Sequence, residues 1–153
     1  MLNQSPVANK LTIILPKDSL ERLIQAGVPI DLIFAANIQV STRIANLVTN
    51  VFKSAATTLR TTIYFHPKYF NMNSSSGLAL IAHELIHILQ WKRQGVFYLV
   101  RYCMEYVFYW CIYLYKKLKK VKLPANWLHD QVSYEKEAIA FEEKIRNLLL
   151  NIQ

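Results

Sequence analysis

Leu78-Ala-Leu-Ile-Ala-His83-Glu84-Leu-Ile-His87-Ile-Leu-Gln90-Trp91 is the stretch that decides how this chain folds. Its only ionisable side chains are His83, Glu84 and His87. A helix apolar nearly all round is a buried helix. Ser74, Ser75 and Ser76 offer N-cap oxygens, and Gly95 is a natural stop. The spacing therefore predicts a buried helix over Leu78–Arg93. Residues four apart share a helix face, so His83 and His87 can present two imidazoles to one Zn²⁺. Glu84, rotated about 100° from His83, can reach a water without being a ligand, which suits a general base. A buried carboxylate is costly unless compensated, and a metal compensates it. A chance match on a surface helix would not sit in so apolar a segment.

Outward from that helix the chain reads as α+β and mainly helical. Leu11–Leu15 and Ile38–Val40 read as short strands, and Thr61–Phe65 as the clearest strand, bounded by His66-Pro67. Pro16–Ser19 opens a helix that Gly27 stops, and Arg43–Lys53 carries an amphipathic pattern. Val121–Asp130, with Pro124, is a loop. Val132–Leu150 is a last helix with Tyr134, Ala138, Phe141, Ile145 and Leu148 on one face. The 153 residues suit one domain (1–153, core about 10–150), and a chain of this length buries a core without staples.

Lys and Arg number 18 against 10 Asp and Glu, a formal charge of +8, yet 53% of the residues are hydrophobic. That hydrophobicity excludes intrinsic disorder. The charge is local: Lys116, Lys117, Lys119, Lys120 and Lys122 supply five cations directly after an aromatic segment. This is a weak nucleic-acid signal. Cys103 and Cys111, about 12 Å apart along one helix, exceed disulfide reach and read as small buried hydrophobes. With no secretory signal visible at the start, the default expectation is a cytoplasmic protein.

A catalytic zinc needs a third protein ligand and an open position. Positions 90 and 93 hold Gln90 and Arg93, so a third histidine on the same helix is excluded. On the last helix Glu143 points away from the apolar face. Glu135, Glu137 and Glu142 lie on its borders, and periodicity leaves the three open. His66 and His129 read more readily as loop histidines.

His83-Glu84-Leu85-Ile86-His87 with Gln90, followed by Tyr134-Glu135-Lys136-Glu137-Ala138, resembles the gluzincin zinc metallopeptidases. More narrowly it resembles a small bacterial family of H-E-x-x-H-x-x-Q domains often found with extracellular contractile injection systems. The resemblance covers roughly residues 10–145, with Thr61–Phe65, Gly77–Ala82 and the motif as its most specific parts. It implies a zincin-like domain: a short sheet packed on the active-site helix, and a C-terminal helix that supplies a glutamate. It implies one zinc held by His83, His87 and Glu135, with Glu84 as general base in peptide-bond hydrolysis. Ile139 stands where many relatives have Asp, and Glu142 is then the substitute that would orient a histidine. The resemblance also makes Thr61, Thr62, Ile63, Tyr64 and Phe65 an edge strand that holds a peptide or protein substrate in extended form. Tyr134 and His129 are candidate oxyanion stabilisers.

Phe97–Tyr115 holds nine aromatics, interrupted by Arg101 and Glu105. Its longest uncharged run is too short for a bilayer, which needs about 20 residues. Core or partner contact is one expectation for it. Contact of residues 97–122 with an anionic membrane surface is the other. Two functions follow: a zinc metallopeptidase, or a non-catalytic zinc-containing module on a membrane or secretion assembly. Nucleic-acid binding ranks below both.

Overall fold

The computed structural model describes residues 15–40, 45–47, 49 and 54–152. Helices α1 (Lys17–Gln25) and α2 (Ile30–Ala35) lead into strand β1 (Asn37–Val40). Strands β2 (Ala56–Leu59) and β3 (Thr62–Phe65) form a hairpin. A 3₁₀ turn follows at Pro67–Tyr69. Three longer helices complete the chain: α3 (Ser75–Gln94), α4 (Val96–Leu118) and α5 (Ser133–Asn151). The fold is α+β and mainly helical, as expected. The predicted strand Leu11–Leu15 falls almost wholly outside the described residues. Of the predicted helix Arg43–Lys53, residues 45–47 and 49 are described, and they are helical.

The sheet corrects one expectation. Strand order is β1-β3-β2, with β1 parallel and β2 antiparallel to β3. Thr62, Ile63, Tyr64 and Phe65 are therefore the central strand, and Thr61 lies in the hairpin turn. A strand paired on both sides has no free backbone edge to offer a peptide. Ile63 and Phe65 are almost fully buried, which is why this strand looked clearest in sequence. Among the described residues the edges are β1 and β2, and β2 lies against α3.

Helix α3 runs through the middle of the molecule. Thirteen of its 20 residues are buried, His83, Glu84, His87 and Gln90 among them. It packs most extensively on α5 and also touches β2, α4, α2 and α1. Leu78, Ile81, Leu85 and Ile88 join Leu23, Leu32, Ile63, Phe65, Ile145 and Leu149 in one core. Its start is fixed by Ser74, whose hydroxyl accepts from Gly77 N–H at 3.0 Å. Such a cap contributes about 1 kcal/mol. Gly77 is required there, because a Cβ would stand 1.6 Å from the Asn71 carbonyl oxygen. On α5 the buried positions are Tyr134, Glu135, Ala138, Ile145 and Leu149. The inward leucine is thus Leu149, four residues after Ile145, and Leu148 is 37% exposed.

Helix α4 is no core helix: none of its residues is buried. Only its Tyr98, Tyr102, Glu105, Tyr109, Ile112, Tyr113 and Lys116 side is partly covered. Cys103 and Cys111 are free and exposed, which corrects the expectation of buried cysteines. No helix among the described residues is long and apolar enough to cross a membrane.

Candidate metal centre

His83 and His87 lie one turn apart on α3, and Glu135 lies in the first turn of α5. The close packing of these helices brings all three together. One ligand atom from each lies within 4.8 Å of the others, and all three residues are buried. His83 Nε2 and His87 Nε2 each stand 3.4 Å from Glu135 Oε2. Two ligands of a tetrahedral zinc, each about 2.0–2.1 Å from the ion, stand about 3.3–3.4 Å apart. The spacing fits a shared metal. Glu135 Oε2 is buried and accepts no hydrogen bond, although three imidazoles surround it. An orphaned carboxylate oxygen among ring nitrogens is what a ligand set looks like without its ion.

The atoms behind the ligands are also arranged. Gln90 Oε1 lies 2.8 Å from His87 Nδ1, and Gln90 Nε2 donates to Tyr134 O at 3.0 Å and to Glu137 Oε2 at 2.9 Å. The amide nitrogen is thus committed to two acceptors, so Oε1 faces His87 and holds the proton on Nδ1. In the neutral imidazole this leaves Nε2 free toward the centre, the tautomer a ligand requires. Tyr98 Oη lies 3.3 Å from the same Nδ1. Glu142 Oε2 faces His83 Nδ1 at 3.0 Å, and Arg146 holds Glu142 from the next turn. Glu142 thus stands behind His83, on the side away from Glu135 Oε2. Tyr102 Oη donates to Glu135 Oε1 at 2.7 Å, which turns the other oxygen to the histidines.

Burial pushes the His83 imidazole down, but Glu135 and Glu142 outweigh it and raise it to about 10. His87 is likewise raised by Glu135 against its burial. Burial pushes Glu135 up, but His129, His83 and His87 together hold it well below the carboxylate range. Glu142 is lowered chiefly by His83. Burial and then the Glu135 charge push Tyr102 up, so its hydroxyl keeps the proton it donates.

Glu84 is 4% exposed and outside the ligand trio. Thr58 of β2 donates to its Oε2 at 2.7 Å and to its backbone oxygen at 3.2 Å. The edge strand and the motif helix are thus tied through Glu84 itself.

His129 corrects the reading of a loop histidine. It sits in the 3₁₀ turn His129–Gln131, with Nε2 3.0 Å from Glu135 Oε2 and its ring stacked on His83 at 6.5 Å. Its pKa is raised, first by Glu135. Tyr134 is buried beside the site, but its hydroxyl donates to Gln94 and is not turned to the cluster. Of the two oxyanion candidates only His129 is placed at the trio. Sequence reasoning missed Tyr98 and Tyr102. Their spacing, continued at Glu105 and Tyr109 in steps of three and four, was a polar stripe hidden within the aromatics. Glu137 is half exposed and engages Gln90 and Arg93, so it is not a ligand in this arrangement. His66 caps the 3₁₀ turn at Pro67–Tyr69 through Lys68 N–H, as a loop histidine does.

No curated protein and no solved structure matches the chain significantly. Residues 35–95 match the sequence profile of the eCIS core domain. The matched segment runs from the end of α2 through the sheet and all of α3. It holds His83, Glu84, His87 and Gln90, ends before α4 and Glu135, and links the chain to the eCIS-associated family.

Proposed function

We propose that the chain is a zinc metallopeptidase of the gluzincin kind, with zinc held by His83, His87 and Glu135. The observation that carries this is the buried carboxylate oxygen of Glu135, 3.4 Å from both imidazole Nε2 atoms and free of hydrogen bonds. Bound zinc supplies a Lewis acid for the scissile carbonyl and makes water a nucleophile near neutral pH. The rest falls to the protein. Thr58 holds Glu84 Oε2, leaving Oε1 to take a proton from the attacking water and deliver it to the leaving amine. Gln90 keeps the His87 proton on Nδ1, and the Glu142 carboxylate stands 3.0 Å behind His83 Nδ1. His129, half exposed at the mouth of the site, donates to the developing oxyanion. The substrate pairs as an extended strand with β2, because β3 has no free edge.

A second reading rests on His129. With Nε2 3.0 Å from the same carboxylate oxygen, it can serve as a fourth ligand. Four protein ligands make a closed structural site, and the chain is then a non-catalytic zinc module. Two variants and two measurements separate the readings. For a peptidase, Glu84→Ala retains about one equivalent of zinc and loses at least about a hundredfold of casein or peptide cleavage. His129→Ala retains zinc and loses rate. For a closed site, His129→Ala lowers zinc affinity, and no cleavage is seen in any form. Wild type that purifies from zinc-supplemented medium without metal removes both readings.

A further inference from the structure

The least expected surface of this molecule is the outer side of α4. Its polar stripe, Tyr98, Tyr102, Glu105 and Tyr109, is turned inward to α3, α5 and the metal centre. The opposite side is apolar and exposed: Phe97 at 81%, Met104 at 68%, Phe108 at 60% and Leu118 at 83%, with Val100 and Val107 between them. From Val96 to Tyr115 the only charges are Arg101 and Glu105. Glu105 is directed away, bonded to the Ser133 backbone N–H at 2.7 Å and the Ser133 hydroxyl at 2.8 Å. This face is contiguous along the whole helix, whereas exposed apolar patches on monomers rarely exceed a few hundred Å².

We infer that α4 is a membrane-docking helix that lies on an anionic lipid surface. Two features favour lipid over a partner helix. The first is breadth. Leu99 and Tyr106 flank one side of the apolar stripe, and Phe108 and Tyr115 the other. A single partner helix covers a narrow seam, whereas a bilayer surface covers the whole arc. The second is charge. Lys117, Lys119, Lys120 and Lys122 stand exposed at the C-terminal end of the helix and just beyond it, with no ion pair among the described residues. Lys116 is held over the Trp127 ring at 4.5 Å. Trp110 and Tyr115 on the exposed side are the amphipathic aromatics that settle at headgroup level. The inference is independent of whether the metal centre is catalytic. It places that centre, whose wall is the inner face of the same helix, close to the bilayer.

The test is flotation of the full chain with phosphatidylcholine vesicles, pure or carrying about 30% phosphatidylserine. Protein is expected to float with the anionic vesicles in roughly 50 mM salt and to dissociate in about 500 mM salt. Met104→Glu with Val107→Glu should abolish flotation. Both side chains are exposed, so circular dichroism should stay unchanged. Lys117→Gln with Lys122→Gln should weaken binding about thirtyfold. Three results overturn the inference. One is protein left unbound at low salt. Another is flotation that the glutamate pair leaves intact. The third is a dimer in sedimentation that the glutamate pair dissociates while vesicles bind no protein, which gives this face to a second copy.

Discussion

Glu135 shows how one residue gathers the chemistry of this site. One of its oxygens accepts a hydrogen bond from the Tyr102 hydroxyl, and the other faces three imidazoles without a hydrogen bond. Removing it takes away the carboxylate between the imidazoles and leaves buried histidines uncompensated. We expect Glu135→Ala to lower zinc affinity more than a hundredfold. Glu137→Ala, which only frees one hydrogen bond of Gln90, should stay within about tenfold, the lower range for groups that orient ligands. Competition with a fluorescent chelator measures both, and the reverse order would move the ligand to Glu137. The same cluster sets the pH response of the metal-free protein. His83 has its pKa raised from 6.5 to about 10 on folding. The stability this contributes is complete below pH 6.5 and is lost as pH rises through about 10. Glu135 and Glu142 have lowered pKa values, so their contribution is present above the ordinary carboxylate pKa and fades in acid. Thermal melts in chelator should therefore peak in the weakly acidic range and fall between pH 6.5 and 10. A flat profile over that range would contradict the cluster.

At the scale of elements, α3 is held at both ends and by one strand. Ser74 and Gly77 fix its start against Asn71, and Gly95 at φ 56 turns the chain into α4. The β2–β3 hairpin turns at Arg60, itself at φ 58, whose guanidinium lies 5.8 Å from the centre of the Trp91 ring of α3. Gly77→Ala drives a methyl into a carbonyl and should cost about 3 kcal/mol. A urea melt should show a lower midpoint, with Ser76→Ala, one residue away on an exposed position, nearly unchanged. Much of this element was legible. The Ser run, the apolar helix and the glycine stop are local signals, and the observed helix exceeds the predicted one by three residues at its start and one at its end. The role of β2 was not legible. Ala56-Thr-Thr-Leu59 is short and half polar, and only its pairing beside β3 and its hydrogen bond to Glu84 give it meaning.

For the whole molecule, the candidate metal centre joins three parts of the chain: α3, the inner face of α4, and the His129 turn with α5. Zinc that binds this assembled set, and not the unfolded chain, stabilises the fold by mass action. Free zinc at about a thousand times its Kd should add roughly 4 kcal/mol. The melting temperature should rise with zinc and fall with chelator in wild type, and Glu135→Ala should lose most of that dependence. By itself the sequence determined the motif helix, its burial, and the pair His83 and His87, because i and i+4 geometry is local. It also fixed the fold class and narrowed the third ligand to three glutamates of one helix. Only tertiary structure decided that Glu135 meets the histidines, that His129 and Tyr102 stand at the centre, that β3 is interior, and that the oily face of α4 turns outward. Helical periodicity states which residues share a face. Which face meets which neighbour depends on how α3, α4 and α5 pack, and that is decided by contacts between residues dozens of positions apart.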